Sequence, residues 1–192
     1  MNKIIVLYCT LTFKIQNVEQ HSRSTNLRVF NFNIKGNPNN YDNLVDQLYD
    51  SVFTPILAGA VNEGRIKNVP TRDRLITSAH LLPGKEGKPK PIIVRLLNGV
   101  YRAIILQCQK KYAPCSNCPS ATRDPARPPP LLHPIFEDST PEMYRFKQLL
   151  SGHDSVSAAW IAGGTVRYKL VGSEAIKKVK LIFDPIEAIL AS

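Results

Sequence analysis

Lys88-Pro89-Lys90-Pro91-Ile92-Ile93-Val94-Arg95-Leu96-Leu97 decides how the rest of the chain is read: a basic lead-in runs into an apolar, β-branched stretch broken by one arginine. Gly84 and Gly87 precede it and Asn98-Gly99 follows. So short a run between turn residues reads as a buried central strand rather than a helix. Far upstream, Asn26-Leu27-Arg28-Val29-Phe30-Asn31-Phe32 alternates apolar and polar residues, places its aromatics on one face, and also carries an arginine. Helix signals lie between and after these strands. The order strand, helix, strand, strand, helix opens a split βαβ sandwich, so the predicted class is α+β.

The 192 residues suffice for one ordinary domain or two small ones, and 43% hydrophobic composition suffices for a core. Against 15 Asp and Glu stand 25 Lys and Arg, a net charge of +10 and a pI near 9.6. A surplus this large in so short a chain favours a polyanionic partner, nucleic acid first. Cys9, Cys108, Cys115 and Cys118 are too few and too unevenly placed for a secreted disulfide framework, which points to a reducing compartment. The apolar run from Lys3 to Leu11 is too short to span a bilayer, so no membrane partner is expected.

In chain order, Leu11, Ile15 and Val18 have helical spacing and read as a remnant of an N-terminal helix or coiled coil over residues 1–25, a place for self-association. Asp42 or Asn40 caps a helix whose apolar positions Leu44, Val45, Leu48, Val52 and Phe53 form one stripe; it is expected to end near Pro55, with Leu57 to Asp73 a loop that has room for a helical turn. Arg74 to Leu82 reads as the second strand. The loop to the third carries Lys85, Lys88 and Lys90 against Glu86 alone, and lysines on a Gly/Pro loop suit phosphate contacts. They equally suit a loop kept soluble by charge.

Asn98 caps a helix from Gly99 to about Tyr112, with Val100, Ile104, Ile105 and Cys108 as its buried stripe. Lys110 and Lys111 in its last turn complement the helix dipole and are also candidate phosphate contacts. From 113 to 130 the prolines break any helix or central strand and mark an insertion. Leu131 to Phe136 supplies a fourth strand. Ser139 or Thr140 then caps a helix from Pro141 to Ser151, and Val156–Ile161 with Thr165–Val171 read as a hairpin turned by Gly163-Gly164. Lys178 to Phe183 is one more strand or a helical turn.

Single strands are held by cations tracking phosphates and by rings stacking on bases. Candidate rings are Phe30, Phe32, Trp160, Tyr144 and Tyr168, the last lying between Arg167 and Lys169; central-strand aromatics such as Phe30 and Phe32 also pack cores. Cys115-Ser116-Asn117-Cys118 is half a zinc pattern with no second pair at standard spacing, so no metal is assigned. His21, His80, His133 and His153 form no triad or metal pattern, and no Gly-rich phosphate loop precedes a helix, so no enzyme and no cofactor or small-molecule substrate is expected.

Several segments, in order, resemble the RNA-binding protein encoded by the first open reading frame of LINE-type retrotransposons and the related baculovirus FP-type proteins. They are Ser22-Arg23 with Asn26-Leu27-Arg28-Val29, then Ala79-His80, then Lys90-Pro91-Ile92-Ile93-Val94-Arg95, then Phe136-Glu137-Asp138-Ser139-Thr140-Pro141-Glu142. Leu81 stands where the family usually has arginine, and the coiled coil is almost absent. The resemblance implies a ferredoxin-like RNA recognition motif of βαββαβ order at 26–138, with the insertion at 113–130, and a small α+β C-terminal domain at 139–192. It implies non-enzymatic binding of single-stranded RNA, or single-stranded DNA, with nucleic-acid chaperone activity, in a cytoplasmic ribonucleoprotein or the nucleus. The contacts it implies are Arg28, Arg95, Lys110, Lys111 and the loop lysines Lys85, Lys88 and Lys90; Arg167, Tyr168 and Lys169 join them from the alternation of ring and charge along the hairpin. The rival expectation is a protein-interaction module, or a relic that has lost its function.

Overall fold

A computed structural model describes residues 15, 18–37, 40–84, 86–114 and 131–179. They form two compact units, one from Thr25 to Asp138 and one made of the described residues up to Ser24 with those from Ser139 onward. The class is α+β, with two antiparallel sheets.

The larger unit runs β1 (Asn26–Val29), α1 (Tyr41–Leu48), a π-helical turn (Tyr49–Phe53), α2 (Thr54–Asn62), α3 (Arg72–Leu75), β2 (Ile76–Leu81), β3 (Ile92–Leu96), α4 (Gly99–Tyr112) and β4 (Ile135–Glu137). Its sheet has the order β2-β3-β1-β4, and every neighbouring pair is antiparallel. Alternation along the strands sends Leu27, Val29, Ile92, Val94, Leu96 and Ile135 to one face, where they are buried against Leu44, Leu48, Phe53, Ile56, Ile104 and Ile105 from the helices. On β2 the burial phase slips, since Ile76 and Ala79 are both buried three residues apart. A register shift between Ile76 and Ser78 accounts for this: the extra residue, Thr77, resets which side chains face the core.

Local chemistry sets most boundaries. The Asn40 side chain accepts from the Asn43 N–H at 3.2 Å to start α1, and the Asn98 side chain accepts from the Val100 N–H at 2.8 Å to start α4. The expectation that helix ends near Pro55 is corrected. The chain continues as helix to Asn62 because the π-turn lets Thr54 N–H bond to Tyr49 O, and Pro55 then falls in the first turn of α2, where its missing donor is not needed. The loop expected from Leu57 to Asp73 therefore shrinks, and it closes on α3. Val100 is also corrected: it is 60% exposed, and the covered stripe of α4 begins at Ile104.

β1 is shorter than expected because Asn31 adopts φ 56°, a left-handed conformation asparagine tolerates better than most residues. The reversal separates the two aromatics predicted to share a face. Phe32 turns into the core against the His133 ring, 5.0 Å between centroids, while Phe30 stays partly open. The fourth strand is likewise shorter than Leu131 to Phe136 and shifted to Ile135–Glu137. Most of the proline-rich stretch, with Cys115 and Cys118, lies outside the described residues, as do Lys85 and most of the N-terminal segment.

The smaller unit holds helical residues 18–22, α5 (Pro141–Ser151), β5 (Val156–Ala162), β6 (Thr165–Leu170) and β7 (Lys177–Lys178), with the strands in sequential order. Thr140 Oγ1 accepts from the Met143 N–H at 3.4 Å, Pro141 opens the helix, and the Thr140 N–H donates to Gln20 Oε1 at 3.3 Å. Gly163 and Gly164, at φ 61° and 69°, make the two-residue turn whose twist suits a hairpin. Met143, Phe146, Leu150, Val156, Val166, Tyr168 and Val179 form the core.

Candidate nucleic-acid interface

The face of the larger sheet turned away from its helices carries the opposite phase of every strand. Register places Phe136 beside Arg28, Arg28 beside Ile93, and Ile93 beside His80, a row crossing all four strands. At about 4.8 Å between strands the row is about 14 Å long. A second row, one pleat along, holds Asn26, Arg95 and Ser78. The two central strands thus bring Arg28 and Arg95 onto one surface, as alternation about an apolar core requires.

Their environments differ. Arg28 Nε donates to Asp138 Oδ1 at 2.7 Å, and Asp138, 1% exposed, also accepts from Asn26 Nδ2 at 3.2 Å. Arg28 is therefore a fixed, partly neutralised cation. Arg95 is exposed and has no side-chain hydrogen bond or ion pair among the described residues. Lys88 and Lys90, on the loop between β2 and β3, are exposed and equally unpartnered there.

Sequence reasoning missed one residue of this surface. Phe136 is 53% exposed, and its ring meets that of Phe30 edge-on at 5.6 Å and 79°. Strand parity with buried Ile135 was the available signal, but a three-residue strand declares its face only through its partner β1.

Lys110 and Lys111 are not brought to this surface. They end α4, which packs on the other face of the sheet through Ile104, Ile105 and Cys108. There Glu63 gathers three donors: Lys111 Nζ at 2.7 Å and Tyr112 Oη at 2.8 Å on Oε1, and Arg65 Nε at 2.7 Å on Oε2. These hydrogen bonds, Lys111 first, hold the Glu63 carboxyl down to about 2, and the same carboxylate raises the Lys111 ammonium. The Lys111 ammonium also sits 5.0 Å from the Tyr112 ring centre. Lys111 has a structural occupation, consistent with its place near the helix C-terminus.

In the smaller unit, Trp160, Arg167 and Lys178 form a row across β5, β6 and β7. Lys169 Nζ lies 2.7 Å from Glu174 and lowers that carboxyl. Tyr168 requires correction as a contact residue. It is 1% exposed and belongs to the core, because the phase that turns Arg167 and Lys169 outward turns Tyr168 inward with Val166.

Cys108 is buried, and burial pushes its thiol up. His133 lies against the Asn31 carbonyl at 3.1 Å, and burial lowers its ring. Among the described residues no three His, Cys, Asp or Glu side chains gather as metal ligands, and no helix is long and apolar enough to cross a membrane. Compared with known proteins, the sequence matches no protein-family model and no curated protein.

Proposed function

We propose that the chain is a non-enzymatic protein that binds single-stranded nucleic acid, RNA in the first place, and that residues 25–138 form an RNA-recognition-motif-like domain. The fold part is supported by the order strand, helix, strand, strand, helix, strand, with β3 and β1 central in an antiparallel sheet. The function rests on one observation. The helix-free face holds Arg28 and Arg95 beside an exposed aromatic, with Lys88 and Lys90 on the adjoining loop. Cations of this reach follow phosphates without fixing a sequence, which suits general binding and chaperone activity. The segments resembling LINE-type first-open-reading-frame proteins favour the same reading and an origin in such an element.

The test is charge reversal at positions with no structural partner. Lys88→Glu, Lys90→Glu and Arg95→Glu together should abolish binding of a mixed-sequence single-stranded RNA while leaving the thermal melt unchanged. Undiminished affinity in the folded triple variant would remove this surface from the account.

A protein-interaction role is favoured by a separate feature. Tyr41, Val45, Arg72, Asp73, Ile76, Thr77 and Leu97 line a cavity of about 320 Å³, and Leu97 is 62% exposed. Asp42, Asp46 and Asp73 all pair with Arg72, a surplus of negative charge that suits phosphate poorly.

A further inference from the structure

We infer that Phe136 is the stacking platform for one unpaired base of the bound strand, with Phe30 as its buttress. The inference rests on the single-strand reading above and adds the mode of contact at one edge of the sheet. Phe136 is half open to water and presents its ring on the helix-free face of the sheet, in the same row as Arg28. Its orientation is set in advance. The edge-on contact with Phe30 holds the ring, and Phe30 is itself anchored by its N–H donating to the Pro134 carbonyl at 3.0 Å. A ring already ordered loses little freedom when it takes a ligand.

The neighbours say what that ligand is. Beside Phe136 in the register stands Arg28, tied to buried Asp138, with Arg95 a pleat further along β3. A flat apolar face beside one tethered arginine and one exposed arginine matches a base beside its own phosphates. Ile93 and Arg95 occupy this face of β3, so that strand supplies no ring there, and the β4 edge is where a base meets one. Phenylalanine offers no hydrogen bond to a base edge, so the platform takes any base and sets no sequence. It takes a base from a single strand because duplex bases have their faces covered by one another.

Binding of the full chain to three probes of equal length tests this: a mixed-sequence single-stranded RNA, the same strand carrying 2-aminopurine, and an abasic sugar-phosphate strand. Phe136→Ala is expected to raise the RNA Kd about ten-fold, within the range that loss of one stacked base spans, and to leave the salt slope unchanged. Phe136→Trp should retain affinity, and 2-aminopurine should be quenched by the wild-type chain but less by Phe136→Ala. The abasic strand should bind the two alike. Phe136→Leu keeps the apolar contact with Phe30 but not the π face, and should lose as much as alanine. Wild-type affinity in Phe136→Ala or Phe136→Leu, with salt-sensitive RNA binding intact, would overturn the platform and leave the single-strand reading standing. Absence of salt-sensitive RNA binding in the wild type would overturn both.

Discussion

Arg28 and Asp138 form an ion pair of unequal burial: the guanidinium Nε lies 2.7 Å from a carboxylate that is 1% exposed, while the arginine keeps a quarter of its side chain in solvent. Removing either partner therefore has different consequences. Arg28→Ala takes the cation from a buried carboxylate that keeps its hydrogen bond from Asn26 and should cost about 3 kcal/mol, whereas Asp138→Asn leaves a cation that water reaches and should cost about 1 kcal/mol. Urea midpoints of the two variants check the order, and equal losses would contradict it. Arg28 is thus a poor probe of binding, and Arg95 a clean one.

Gly59 lies against the Tyr112 ring so closely that a Cβ there would overlap it. Alanine ordinarily favours a helix by about 1 kcal/mol over glycine. Here Gly59→Ala should destabilise the chain by about 1–3 kcal/mol, because the ring must leave its place and give up its hydrogen bond to Glu63. A raised melting temperature for Gly59→Ala would show that the ring moves freely.

Glu63, held to about 2 in the folded chain against an ordinary 4.5, binds its proton later than it does unfolded. Its contribution to stability is full above pH 4.5 and is lost as the pH falls from 4.5 towards 2. The melting-temperature difference between the wild type and Glu63→Gln should be level from pH 7 to 5 and shrink below that. A difference that stays level to pH 2.5 would contradict the depressed carboxyl.

Tyr168 fills the core of the smaller unit. Tyr168→Ala should cost about 3–5 kcal/mol and speed amide exchange across the β5–β6 hairpin. Full stability with weakened RNA binding would return Tyr168 to the surface.

The legible parts of the fold are those decided within a few residues. Asn98, Thr140 and Gly163-Gly164 act on backbone groups next to them, so their cap and turn roles follow from residue type and place. The alternation in 26–29 gives the buried face of β1 directly, whereas 92–96 is too uniformly apolar to declare one, and the shared side of Arg28 and Arg95 follows from the pairing of β1 with β3. Pro55 misled because a π-turn just before it absorbs the missing donor. Lys111 misled because its partner Glu63 is 48 residues away. The burial of Tyr168 was present in the alternation of Val166, Tyr168 and Leu170 against Thr165, Arg167 and Lys169, where flanking charge suggested an exposed ring instead. Phe136 depended on pairing with β1, which residue types do not encode.

The salt dependence of binding to a mixed-sequence single-stranded RNA, set beside single-stranded DNA and duplex, tests the central claim most directly. The account predicts an affinity that favours single strands and falls linearly in log salt, and that is lost when Lys88, Lys90 and Arg95 are reversed together. A folded chain that fails to bind RNA at low salt, or binds it with no response to salt, would contradict it.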